Sequence, residues 1–221
     1  MDKKPTVIYC YDAFCGWCYG FSPVIRQLAK EYEKRFFFEV LSGGMVISEE
    51  PRPISVTAGY VQKAYKTVEE YTGVKFGKDY LWHIFNPEKS DWFPSSEKPA
   101  IAMCVFKEYC GDRQVEFAAD LQYALHYEGR DLCDDEAYRE LLKNYPVPEQ
   151  EFYQKLHSET YREKAYYEFA LVKQLLVTGF PAVLLQENES RFHLLAKGYT
   201  KYETLAERME SILASFTSKF L

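Results

Sequence analysis

The sequence predicts an α/β fold, a mixed β-sheet flanked by helices, interrupted by a large all-helical insertion. Three observations carry this. Residues 1–47 read as strand, helix, strand; residues 48–158 place apolar side chains at almost purely helical spacing; residues 159–221 return to a helix, a β-hairpin and a final helix. The outer segments are then expected to be two halves of one α/β domain, with residues 48–158 forming a helical insertion domain.

The elements follow in order. Thr6-Val7-Ile8-Tyr9-Cys10-Tyr11 is β-branched and aromatic without polar alternation, as a strand covered on both faces would be. Phe21, Val24, Ile25, Leu28 and Tyr32 recur at helical spacing, and Pro23 within them predicts a kink. Phe36 to Leu41 reads as a second strand, ended by Ser42-Gly43-Gly44. A helix joining two strands makes them parallel neighbours. In the insertion, Val56, Tyr60, Val61, Ala64, Val68 and Tyr71 mark a helix stopped by Gly73. Further helices are expected over Pro99–Cys110, over Asp112–Glu128 with Gly129 as its stop, and from an Asp134 cap to about Asn144. Pro146-Val147-Pro148 separates the next, and Asn86–Lys98 is the least structured stretch. Aromatic residues cluster at an expected loop in Tyr80–Phe85 and Trp92-Phe93-Pro94, where they either line a substrate groove or plug the helices against the sheet. A long helix is expected over Glu159–Thr178 with Gly179 as its stop, then a hairpin of Ala182–Leu185 and Phe192–Leu195 turning at Asn188-Glu189-Ser190. Thr200 and Glu203 have capping-box spacing before a last helix that buries Leu205, Met209, Ile212, Leu213 and Phe216.

Composition narrows the function. Of 221 residues, 47% are apolar and 17% aromatic, the signature of a folded globular chain. The net charge of −6, with no basic cluster, gives nucleic acid or an anionic membrane no handle. No run reaches the roughly 20 apolar residues of a membrane span, and Met1-Asp2-Lys3-Lys4-Pro5 leads into the first strand without a secretory-signal pattern. A cytoplasmic protein is expected, in which the six cysteines are mostly reduced.

The chemistry is expected at Phe14-Cys15-Gly16-Trp17-Cys18-Tyr19-Gly20, a Cys-x-x-Cys motif at a strand-to-helix junction. A helix N-terminus offers unpaired N–H groups and the positive end of the dipole, which stabilise a thiolate and can lower a cysteine pKa from about 8.5 to roughly 3.5–7.5. Cys15 is the expected nucleophile. Cys18, one turn deeper, is the expected resolving thiol, releasing a Cys15–substrate mixed disulfide. The same spacing also fits ordinary buried thiols or half of a zinc or iron–sulfur site, although no second Cys-x-x-Cys or His pair completes one. Cys10, Cys104, Cys110 and Cys133 read as buried small hydrophobes.

Together, Asp12–Gly20, Ala124–Leu132 and Val177-Thr178-Gly179-Phe180-Pro181-Ala182 resemble the thioredoxin superfamily, and within it the DsbA family and its FrnE-like group. The resemblance spans nearly the whole chain and implies a thioredoxin-like fold and a thiol–disulfide oxidoreductase that needs no cofactor or metal. It implies that Pro181 is cis and faces the cysteines, and that Gly16, Trp17, Phe180 and Pro181 contact substrate. The implied partners are proteins or small molecules carrying a thiol or disulfide, with glutathione or a thioredoxin-type reductant as electron donor. Relatives of this architecture without the cysteine pair are glutathione-dependent isomerases or transferases, which keeps that alternative open, as does a metal- or partner-binding module. Two positions depart from the pattern: Tyr9 stands where relatives commonly carry an acidic residue, and Gly16-Trp17 matches neither the Gly-Pro of thioredoxin nor the Pro-His of DsbA.

Overall fold

The computed structural model describes residues 4–217, without the side chains of 215–217. The first half is β1 (Thr6–Tyr11), α1 (Gly16–Tyr32) and β2 (Phe37–Ser42), with β1 and β2 parallel from the Thr6–Phe37 pair to the Tyr11–Ser42 pair. Then come α2 (Ser55–Thr72), α3 (Lys78–Phe85), α4 (Glu97–Cys110), α5 (Gln114–His126), α6 (Glu136–Leu142), α7 (Glu149–Leu156) and α8 (Glu159–Gln174). The chain closes with β3 (Ala182–Asn188), β4 (Arg191–Lys197) and α9 (Tyr202–Thr217). Sheet order is β2-β1-β3-β4, with β3 antiparallel to both its neighbours. The predicted thioredoxin-like arrangement with a helical insertion is therefore present.

β1 is central because both its faces are apolar. Val7, Tyr9 and Tyr11 join the large core beneath α1, while Ile8 and Cys10 pack with Leu41, Val172, Ala182 and Leu184 on the opposite face. α4 is buried almost all round, from Pro99 through Phe106, and stacks Phe106 on Phe117 of α5 at 4.0 Å. Over that stretch the helix has no solvent face, which a single-stripe pattern does not describe.

The edge strand β2 is closed by side chains of α4, α5 and α8. Gln114 Oε1 accepts from the Val40 N–H (2.9 Å) and Glu168 Oε2 from the Ser42 N–H (2.9 Å). Lys107 Nζ donates to the Val40 carbonyl and to Glu39 and Glu168 (2.6 and 2.7 Å). Backbone groups that would otherwise template another strand are thereby used up.

Three expectations are corrected. α8 ends at Gln174, not Thr178, and Gly179 is not its stop. The left-handed residue is Leu176 (φ 58), whose N–H bonds the Lys173 carbonyl while Val177 N–H reaches Val172. This is a Schellman closure held by apolar contact, since Val172 and Val177 share one cluster. Tyr80–Phe85 lies within α3 and is not loop. Cys133 is half-buried, unlike the other cysteines, because it sits in the loop before α6, its thiol facing the Phe93 and Ser95 carbonyls. α9 buries Leu205 and Met209 as expected; Phe216 lies outside the residues whose side chains are described.

Candidate active site

β1 ends where the chain turns through Asp12–Phe14 into α1, and Cys15 caps that helix with extended backbone (φ −82, ψ 107). Its sulfur accepts a hydrogen bond from the Cys18 N–H at 3.3 Å, so one of the helix's unpaired N–H groups points at it. The Cys15 thiol also lies 3.6 Å from the Phe180 carbonyl oxygen. The Phe180–Pro181 peptide bond is cis, and Pro181 leads directly into β3, whose Ala182 pairs with Cys10 of β1. That pairing carries Phe180 across to the cysteine turn. Cys15 and Cys18 are both free thiols, 6% and 0% exposed. Burial, and then its hydrogen bond with Cys15, push the Cys18 pKa well above the ordinary thiol value.

The turn is held by a buried carboxylate. Asp12 accepts from the Phe14 N–H (3.0 Å), the Met45 N–H (2.7 Å) and the Ser96 hydroxyl (2.9 Å). Ser96 Oγ in turn accepts from the Val46 N–H (2.9 Å). Burial raises the Asp12 pKa, and these donors oppose the rise. One side chain thus ties the cysteine turn to the loop after β2 and to the start of α4. Behind Cys18, Gln122 Nε2 donates to the Asp12 carbonyl (3.2 Å), and Ser22 Oγ lies 2.6 Å from Gln122 Oε1.

Cys15 opens into a groove of about 360 Å³ between the cysteine turn, α2 and α3. Cys15, Gly16, Trp17 and Phe180 form one wall; Tyr60, Val61, Tyr65, Tyr80, Ile84 and Trp92 form much of the other, and no lining residue is charged. Cys18 and Pro181 lie beneath this surface, both buried. Of the aromatic cluster, Tyr80, Ile84, Trp92 and Pro94 line the groove, whereas Trp82, Phe85 and Phe93 are exposed away from it. Among the described residues, no three His, Cys, Asp or Glu side chains gather as metal ligands would.

Several contributors were not evident from the sequence. Gly43 is one: a Cβ there would lie 2.0 Å from Phe180 Cζ, so its bare backbone makes room for the Phe180 ring. The Gly43-Gly44 pair was the available signal. His126 is another, 0% exposed and enclosed by the rings of Tyr19, Phe76 and Tyr80 at 5.1, 5.5 and 5.0 Å. Burial lowers its pKa to about 3, with the Ala13 backbone opposing the shift. It stands behind Phe76 and Tyr80, which face the groove. Tyr9, read as a departure from the pattern, has a fully buried hydroxyl with no regular hydrogen-bond partner.

Comparison with known proteins agrees with this architecture. A candidate protein disulfide isomerase from Nitrosomonas europaea superposes with a TM-score of 0.83 at 22% identity, covering 96% of this chain and 99% of the other. The cytosolic disulfide reductase DsbM from Pseudomonas aeruginosa gives 0.74 at 24% identity, with 95% and 98% covered, and has also been solved with GSH. A 2-hydroxychromene-2-carboxylate isomerase gives 0.63 at 12%, with 98% and 99% covered. At these identities the likeness shows the fold alone. No curated protein sequence matches the chain. The sequence profile of the DSBA-like thioredoxin domain matches residues 6–210, from the first strand into the last helix, and the cysteine turn, the β1–β3 pairing and the helical insertion all fall inside it: the chain belongs to the DSBA-like thioredoxin domain family.

Proposed function

We propose that this protein is a thiol–disulfide oxidoreductase of the FrnE-like group in which Cys15 exchanges disulfides with protein or small-molecule substrates and Cys18 resolves them. In the reductive direction the Cys15 thiolate attacks one substrate sulfur, the substrate S–S bond breaks, and the departing thiolate takes a proton. Cys18 then loses its proton and attacks Cys15; the second substrate thiolate leaves and is protonated, and the protein has given up two electrons. The observation that carries this reading is the placement of Cys15: at a helix N-terminus, on the groove, with the Cys18 N–H on its sulfur. Gly16, Trp17 and Phe180 contact the substrate, Pro181 sets Phe180 in place from beneath, and the uncharged groove favours disulfides flanked by apolar groups. Glutathione or a thioredoxin-type protein regenerates the dithiol in a reducing, cytosolic compartment, a reading supported by the GSH complex of DsbM. Residues 48–158 act as an insertion domain that supplies the far wall of the groove.

The test is trapping. Cys18→Ser should accumulate a mixed disulfide through Cys15 with a cysteine-containing peptide, and Cys15→Ser should trap nothing. A parent protein that forms no 15–18 disulfide across the range of glutathione redox buffers would refute it. A second reading, glutathione-dependent isomerisation of a small aromatic compound, is favoured by the groove's size and by the fold the chain shares with the chromene isomerase. Glutathione-dependent turnover that survives Cys18→Ser would select it.

A further inference from the structure

α1 carries two glycines one turn apart, Gly16 and Gly20, and the second has no room for a side chain. Gly20 lies inside α1, buried, with ordinary helical backbone, so no positive φ asks for glycine there. A glycine in a helix interior weakens the helix relative to alanine, so its retention calls for a reason. The reason lies across the contact with α2. A Cβ on Gly20 would stand 2.7 Å from Thr72 Cγ2, 2.9 Å from Thr72 Oγ1 and 3.0 Å from Val68 Cγ1. At Gly16 the same atom would meet Phe76 Cζ at 3.4 Å, an ordinary contact. The two α2 side chains at Gly20 are not free to turn away. Thr72 Oγ1 donates to the Val68 carbonyl (2.7 Å) and accepts from the Val74 N–H (3.4 Å), which fixes its rotamer, and Val68 is buried and β-branched. Elsewhere α2 is lightly seated: among its described residues only Ala58 and Val68 are buried. Yet this helix supplies Tyr60, Val61, Tyr65 and Val68 to the lining of the groove that holds Cys15.

We propose that Gly20 is a specificity-determining position: by letting α2 rest directly on α1 it sets the width of the groove, and with it the bulk a substrate disulfide can carry beside its cysteine. This rests on the exchange reading above. The distance between packed helices follows the side chains at their contact. A methyl group on Gly20 pushes α2 back by roughly 1 Å before normal carbon–carbon separation is restored. Tyr19 Oη donates to the Lys75 carbonyl (2.8 Å) and anchors the chain just past α2. The helix therefore tilts about that anchor, and Val61 and Tyr65, farther along, move outward. Gly20 does not line the groove and acts only through α2. The substrates it selects are disulfides flanked by a slender apolar group, a single benzene ring or an unbranched chain, over those flanked by fused rings.

The experiment uses full-length Cys18→Ser protein, in which the mixed disulfide persists, and two symmetrical peptide disulfides, one with phenylalanine and one with naphthylalanine beside the cysteine. Attack by Cys15 forms the Cys15–peptide bond, breaks the peptide S–S bond and releases the second peptide as a thiolate, and the rate is measured with each. Adding Gly20→Ala should slow the reaction with the phenylalanine peptide and speed that with the naphthylalanine peptide, changing the ratio of the two rates about tenfold. Taking the volume away again, in Gly20→Ala with Thr72→Ala, should return the ratio to its starting value, which a general disturbance of α1 would not do. Should Gly20→Ala not fold, Thr72→Ile loads the same contact from the α2 side and should shift the ratio in the same direction. An unchanged ratio, an equal slowing with both peptides, or a ratio that Thr72→Ala does not restore overturns the inference while leaving the exchange reading intact. A Cys18→Ser protein that forms no mixed disulfide with either peptide overturns the exchange reading, and this inference with it.

Discussion

His126 gives the sharpest prediction about stability. Its ring is sealed among Tyr19, Phe76 and Tyr80, and burial lowers its pKa from the ordinary 6.5 to about 3. The folded state therefore resists protonation that the unfolded state accepts. The associated stability is complete above the unfolded value of 6.5 and is lost as pH falls towards the folded value. Integrated from pH 7.5 to pH 4, this single group removes roughly 3 kcal/mol. For a protein of this size that corresponds to about 1 M urea or more in the unfolding midpoint. The assay is urea unfolding of the parent and His126→Leu across that pH range. Other groups titrate alike in both proteins and cancel in the difference. The parent's advantage should shrink by roughly 3 kcal/mol on acidification; a difference that stays constant with pH would refute the enclosed, neutral imidazole. Because Phe76 and Tyr80 form both the cage and the groove wall, activity should fall over the same pH interval.

Further outcomes follow from the same geometry. Gly43→Ala should displace the Phe180 ring, destabilise by about 1–3 kcal/mol and slow formation of the Cys15 mixed disulfide, measured by trapping in the Cys18→Ser background. Asp12→Asn should cost about 2–4 kcal/mol in urea unfolding, because an amide nitrogen replaces an oxygen that accepts from backbone N–H groups. Since burial raises the Asp12 pKa, its titration favours folding below the unfolded value and loses that contribution as pH rises through the folded one, so the parent's margin over Asp12→Asn should widen on mild acidification. Lys107→Met should cost about 3–5 kcal/mol by leaving Glu39 and Glu168 uncompensated beside β2; restoration by Glu168→Gln in the same chain would confirm the cause, and unchanged unfolding of Lys107→Met would count against it.

What could be read from the sequence was local. β1 was legible because a strand covered on both faces carries no alternation, and the cysteine turn because strand, Cys-x-x-Cys and helix are contiguous. The hairpin announced itself through Asn188-Glu189-Ser190. The misses came from partners distant in the chain. Nothing near Asp12 signals that Met45 and Ser96 will complete its hydrogen bonds. α8 ends at the left-handed Leu176 because Val172 and Val177 on either side of it pack into one cluster, where composition pointed to Gly179. Half of the aromatic cluster faces the groove and half faces water, because α3 presents one side to each.

The floor of the groove and the proposed nucleophile, Cys15, come from opposite ends of the polypeptide. Cys10, just ahead of the reactive turn, is stitched to Ala182, just behind Pro181, and the whole helical segment lies between them in sequence. Closing so long a loop is entropically expensive, and contacts of this range form late in folding. A half-made or loosened chain would display a bare sulfur with nothing opposite it to seat a guest. On the exchange reading, productive seating of a substrate therefore waits until β3 has docked on β1.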